Sequence, residues 1–216
     1  MQTDLPTSLG PARLTVAAAA EPRALLWLGH GAGGGIGSAD LTALASRLPA
    51  QGVTVARHEQ PWRVAGGRVA ARPSLLDTGW RESFPAVAEL AAGVPLIVGG
   101  RSAGARVACR TAGELGAVGV VCLGFPLHPP GRPQVSRLEE LLTPEVPVLV
   151  LQGERDTFGS AADVEREVDG RRRIRVVAVP GADHGMKVLK SSPISGAEVS
   201  DLIVTAVAEF VDEVLG

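Results

Sequence analysis

Leu96-Ile97-Val98-Gly99-Gly100-Arg101-Ser102-Ala103-Gly104-Ala105-Arg106-Val107 is the stretch on which the reading of this chain turns. Residues 96–99 are apolar or small and read as a buried strand, while 103–115 carry the apolar spacing of a helix. Between them stands a G-x-S-x-G with Ser102 at its centre. The spacing has a mechanical reason. A serine on a sharp strand-to-helix turn takes strained dihedrals, and only small neighbours let the two backbones approach; Gly100 and Gly104 supply that room. The turn lifts the Ser102 hydroxyl out of the sheet and aims the helix N-terminus, with its partial positive charge, at whatever the hydroxyl attacks. Taken alone the motif also fits a plain tight turn, since Gly and Ser are common in turns. Its place between a strand and a helix is what makes it informative.

Outward from this turn, apolar runs, β-branched content and Gly/Pro punctuation predict an alternating order. Strands are expected at 13–20, as an edge, and at 24–28, 53–56, 118–123, 146–151 and 174–179. Helices are expected at 39–48, capped by Ser38 and closed by Pro49 and Gly52, at 78–92 despite Pro85, at 161–168 and at 198–215. Residues 61–73 read as a long irregular stretch and 125–133 as a Pro-rich one. Strands without polar alternation, separated by helices, imply an α/β fold with a mostly parallel sheet covered on both faces. A chain of 216 residues suits one well-filled core, so residues 1–216 are expected to form a single domain.

In such a sheet, chemistry belongs to the loops at the carboxyl ends of the strands. Gly153-Glu154-Arg155-Asp156 follows strand 146–151 and offers the Asp156 carboxylate, which would otherwise serve as a helix cap. Gly181-Ala182-Asp183-His184-Gly185 follows strand 174–179 and sets His184 among small residues, free to reach across the sheet top; Asp183 beside it reads as solvent-facing. Ser102, Asp156 and His184 thus occur in the order nucleophile, carboxylate, base, with separations that leave room for the intervening strands. An oxyanion site needs a second donor besides the Ala103 N–H, and the loop Gly29-His30-Gly31-Ala32-Gly33-Gly34 offers the Ala32 N–H, with Gly33 as second choice. The same loop spells G-x-G-x-x-G, the dinucleotide fingerprint, and Glu59 could stand for a ribose-binding carboxylate. That match is poorer: the motif lies about 30 residues before Glu59 where about 20 are expected, and it leaves Ser102, Asp156 and His184 unexplained.

Together Gly29–Gly34, GGRSAGARV at 99–107, LGFPLHPPGRP at 123–133, 151–158 and 183–188 resemble the α/β-hydrolase branch related to dienelactone hydrolases. That branch includes testis-expressed hydrolase-like proteins and a subunit of the nonspecific-lethal chromatin complex. The resemblance runs from about Leu25 to the C-terminus and rests above all on Phe125-Pro126-Leu127-His128-Pro129-Pro130. It implies the α/β-hydrolase fold and a triad of Ser102, Asp156 and His184; the short chain leaves room for a minimal lid domain or none, so any cover is expected from 61–73 and 125–133. It does not supply a substrate, because the chromatin subunit serves as a scaffold in that family. Dienelactone hydrolases proper use a cysteine nucleophile, and this chain has Ser102, which argues against dienelactone itself.

Composition narrows the partners. Lys and Arg number 21 against 23 Asp and Glu, so the basic excess of a nucleic-acid binder is missing, and Tyr is absent from any stacking platform. Cys109 and Cys122 are too few for a disulfide framework and lack metal-site spacing; they read as buried small hydrophobes. The apolar stretch 14–20 follows Asp4 with no lysine or arginine before Arg13, unlike a signal peptide, and no run reaches the roughly 20 residues of a membrane span. A cytoplasmic protein without membrane contact is expected. The anticipated function is cleavage of a small-molecule ester or thioester through a serine ester, with no metal or organic cofactor. Peptidase and perhydrolase chemistry use the same triad, and a non-catalytic binding or scaffolding protein on this fold is the alternative. Trp62, Phe125, Leu127 and His128 are candidate pocket walls. Arg63, Arg68, Arg72 and Arg132 would favour an acidic substrate if they converge and are otherwise solvated loop charges. Structural roles are expected for His30 and His58. Composition leaves the oligomeric state open.

Overall fold

Every residue of ALLWLG at 24–29 and of VLVLQG at 148–153 is buried, as strands covered on both faces require. The computed structural model describes residues 1–216. Its strands are β1 (Gln2–Leu5), β2 (Ala12–Ala17), β3 (Ala24–Gly29), β4 (Val53–Glu59), β5 (Leu96–Arg101), β6 (Gly119–Leu123), β7 (Val148–Gly153) and β8 (Ile174–Val179). They form one sheet in the order β1-β2-β4-β3-β5-β6-β7-β8. β2 pairs antiparallel with both β1 and β4 at one edge, and all other pairs are parallel. The helices are α1 (Ala39–Arg47), α2 (Pro61–Val64), α3 (Pro73–Ala91), α4 (Ala103–Thr111), α5 (Leu138–Leu142), α6 (Ala161–Glu167) and α7 (Gly196–Leu215).

Alternation along β3 sends its side chains into two separate cores. Leu25 and Trp27 join the core that includes Trp80, Val107, Leu141 and Val164, under α3 to α6. Leu26 and Leu28 join the other, with Leu41 and Leu44 of α1 and Ile203, Val207 and Phe210 of α7. Trp27 stacks on Trp80 with ring centroids 3.5 Å apart and an interplanar angle of 7°. The Cys109 and Cys122 thiols touch at 3.5 Å, fully buried between α4 and β6. From β3 the chain turns to β4 on one side and then crosses to β5 on the other. That reversal opens a crevice above the carboxyl ends of β3 and β5, where sheets of this kind hold ligands.

The expected order holds with local changes. β1, α2 and the five-residue α5 were not anticipated: QTDL is polar, α2 is a single turn inside the stretch 61–73 that reads as irregular, and α5 lies past the Pro-rich segment in residues assigned no element. α3 begins at Pro73 because proline fits the first helical position, and it continues through Pro85. β7 starts at Val148, after Pro147, which has no N–H for the ladder. Ser38 stands at the cap of α1, yet its hydroxyl makes no capping bond. The chain between β6 and β7 holds only α5, so no inserted domain covers the crevice. No helix is long and apolar enough to cross a membrane.

Candidate active site

Ser102 sits between β5 and α4 at φ 51° and ψ −106°, a conformation that L-residues avoid. The surroundings impose it. A Cβ on Gly104 would lie 2.5 Å from the Gly29 carbonyl carbon, and one on Gly100 would lie 2.5 Å from the Gly29 oxygen. The helix and β3 therefore approach as only glycines allow. The Ser102 N–H donates to the Leu123 carbonyl at 3.0 Å, tying the turn to the end of β6.

His184 arrives on the loop between β8 and α7. Asp183 folds that loop: its carboxylate accepts from the N–H groups of Gly185 at 2.7 Å and Lys187 at 3.0 Å. Asp183 is therefore only half-buried and engaged with backbone, a correction to its reading as solvent-facing. Arg101 adds a second restraint, donating to the His184 carbonyl oxygen and to the Asp40 carboxylate, the latter at 2.7 Å. Asp40 is 1% exposed in its side chain, so this ion pair joins the nucleophile turn, the histidine loop and the first turn of α1 away from solvent.

The three predicted residues meet. His184 Nδ1–H donates to Asp156 Oδ2 at 2.7 Å, and Nε2 accepts from Ser102 Oγ at 2.9 Å. Asp156 has a fully buried side chain whose Oδ1 accepts from the Phe158 N–H at 2.8 Å and whose Oδ2 also accepts from Gln152 Nε2 at 3.0 Å. Gln152 was not anticipated. A polar residue closing the apolar strand VLVLQG was its only signal in the sequence. The Phe158 ring packs edge-on against the imidazole, centroids 4.4 Å apart. Such a relay lets Nε2 take the hydroxyl proton while the carboxylate holds the tautomer that makes Nε2 the acceptor.

Ala103 is the first residue of α4, so its N–H has no acceptor within the helix. The Ala32 N–H makes no hydrogen bond within the protein, and a Cβ on Gly31 would lie 3.5 Å from Ser102 Cβ, placing the Gly31–Ala32 peptide beside the nucleophile. His30 orients that peptide. It is buried, its Nδ1–H donates to the Gly31 carbonyl at 2.9 Å, and its Nε2 accepts from the Gln60 N–H at 3.2 Å. Burial pushes the His30 imidazole below its ordinary value, which keeps Nε2 free to accept.

Ser102, His184, Ala32 and Ala103 all border one cleft of about 730 Å³. The four anticipated pocket walls do not. Phe125 and Leu127 are fully buried, because the loop after β6 turns its apolar side chains down into the core. His128 is half-buried and held by Nδ1 to the Val135 carbonyl at 3.0 Å. Trp62 lines a separate void of about 10 Å³ behind the Gly29–Ala32 loop, with Gln60 and Trp80. Nor do Arg63, Arg68, Arg72 and Arg132 border the cleft; its cations are Arg101, Arg106, Arg137 and Lys187.

No curated protein matches the chain in sequence. Among solved structures it is similar to an alpha-beta serine hydrolase homologue from Coxiella burnetii, at 16% identity and TM-score 0.75, covering 95% of this chain and 96% of that one. A serine hydrolase without a lid from Xanthomonas campestris gives 18% identity and TM-score 0.76, over 97% and 94%. The dienelactone hydrolase of Anabaena variabilis gives 16% identity and TM-score 0.68, over 95% and 94%. At these identities the likeness speaks for the fold. Residues 22–212 match the family described as alpha/beta hydrolase domain, and the chain belongs to that family, in the α/β-hydrolase superfamily.

Proposed function

We propose that the protein is a serine hydrolase that cleaves a small carboxylic ester or thioester through an acyl-enzyme on Ser102. The observation that carries this reading is the chain Asp156–His184–Ser102, with links of 2.7 and 2.9 Å, at the border of an open cleft. His184 Nε2 takes the hydroxyl proton as Ser102 Oγ attacks the carbonyl carbon. Asp156 then steadies the imidazolium, and the N–H groups of Ala32 and Ala103 bind the oxyanion. Collapse of the tetrahedral intermediate expels the alcohol or thiol, which receives the proton from His184. Water, deprotonated by the same imidazole, releases the acid and restores Ser102. A single domain carries out this chemistry. The motif at 125–130 supports membership in the branch related to dienelactone hydrolases that also holds the testis-expressed and chromatin-complex relatives.

Labelling with a fluorescent fluorophosphonate, alongside hydrolysis of p-nitrophenyl esters of increasing chain length, tests the reading. Wild-type protein is expected to label and to turn over short esters, and Ser102→Ala to do neither. Folded wild-type protein that neither labels nor hydrolyses would replace the enzyme with the binding or scaffolding alternative.

A further inference from the structure

Four cations and no carboxylate border the Ser102 cleft, and these cations are not equally compensated. Arg101 is paired with Asp40 at 2.7 Å. Arg106 offers its Nε and Nη2 edge to both oxygens of Glu140, at 2.9 and 2.6 Å. Arg110 reaches the same Glu140 with Nη1 at 2.5 Å and gives its own Nε and Nη2 edge to Asp77, at 2.9 and 2.6 Å. Two guanidinium groups and two carboxylates thus close a neutral chain along α3, α4 and α5.

Arg137 stands outside that chain. Its backbone N–H donates to the Leu127 carbonyl at 2.8 Å, and its Nη1 donates to the carbonyls of Pro126 at 3.2 Å and His128 at 3.3 Å. These bonds fix the guanidinium across the loop that follows β6. They leave Nε and Nη2 without a protein acceptor, the same edge that Arg106 and Arg110 give to carboxylates. Burial, with the neighbouring charges of Arg106 and Arg110, draws the Arg137 guanidinium below its ordinary value despite the opposing pull of Glu140. Across the cleft Lys187, exposed on the His184 loop, has no carboxylate partner either. A cleft lined by one sign of charge concentrates ligands of the other.

We propose that this cleft takes an ester bearing a free carboxylate, which the Nε and Nη2 edge of Arg137 grips with both oxygens while Lys187 strengthens the field at the mouth. A planar fork of two parallel N–H donors matches a carboxylate in spacing and plane. Pinning the loop takes up Nη1 alone and leaves that fork free for a ligand. The inference rests on the hydrolase reading and names the substrate class of the same site.

The test compares kcat/KM for mono-p-nitrophenyl glutarate with that for the neutral p-nitrophenyl pentanoate, at low and high salt. Wild-type protein is expected to prefer the glutarate about tenfold or more, a preference that salt weakens. Arg137→Gln is expected to lower the ratio about tenfold, and Arg137→Lys, which keeps the charge and loses the fork, to lower it less. No preference in the wild type, or a ratio unchanged in both variants, overturns the proposal. Calorimetry of monoethyl glutarate with Ser102→Ala separates this from a failure of hydrolysis itself. Binding that weakens about tenfold on adding Arg137→Gln supports the carboxylate site even where no ester is turned over. Equal affinity of the single and double variants removes it.

Discussion

At the Ser102 turn the backbone has no latitude: Gly100 and Gly104 touch Gly29 at distances no side chain tolerates, and the serine is held at a positive φ. Across the cleft the wall formed by the loop after β6 has carbonyls that are gathered by side-chain donors. It is organised by one arginine that gathers the carbonyls of Pro126, Leu127 and His128. The first region positions by exclusion, the second by attraction. The chemistry needs sub-ångström placement of Ser102 and His184, which packed backbone provides, whereas choice of substrate needs only donors at the right edge of a pocket.

The largest expected effect tests the first region. Ser102→Ala or Asp156→Asn should each reduce kcat/KM for a p-nitrophenyl ester by about 10⁴-fold or more, measured on protein whose circular dichroism is unchanged. Gly104→Ala asks whether exclusion is as strict as the contacts imply. It should cost about 3 kcal/mol in urea unfolding, because the added methyl meets backbone that has nowhere to move. A cost below about 0.5 kcal/mol would show that the turn is more compliant than its packing suggests.

Behind the turn, His58 is completely buried among Trp27, Trp80 and Ser83, and burial, aided by His30, pushes its imidazole down to about 3. Unfolded chain binds this proton as pH drops below about 6.5, while folded chain does not until about 3. The associated stability is therefore complete above about 6.5 and declines across that window. Between about pH 7 and pH 5 it should amount to about 2 kcal/mol in urea titrations, and His58→Leu should flatten the dependence. The smallest effect falls on Gln152, a positioning residue. Gln152→Leu should lower kcat about tenfold with KM little changed, since it frees a buried carboxylate oxygen without touching the cleft. Equal loss in an Asp156→Asn background would show that it acts elsewhere.

The same contrast explains what could be read from the sequence. The turn at Ser102 is legible because its constraints lie within five letters, and the loops bearing Asp156 and His184 are legible because each directly follows an apolar strand. Arg137 escaped notice because it lies past the Pro-rich segment, and its significance depends on Glu140 already being occupied by Arg106 and Arg110. Phe125 and Leu127 were misplaced for a related reason. Hydrophobic letters in a loop near the site suit a pocket wall or a core equally well, and only the path of the chain after β6 decides between them. Asp40 reads as an ordinary first-turn acid of α1 until Arg101 reaches it from the end of β5.

The touching thiols of Cys109 and Cys122 have a practical consequence. The neighbouring thiol together with burial raises the Cys122 value well above the usual, and both sulfurs are wholly buried, so neither is within reach of reagents in the native protein. Dithionitrobenzoate should therefore find no sulfhydryl until α4 parts from β6, the packing that also holds the Ser102 turn. Colour development then becomes an intrinsic chronometer of that separation, and a cysteine engineered anywhere on the surface would be the one fast-reacting group for attaching a probe.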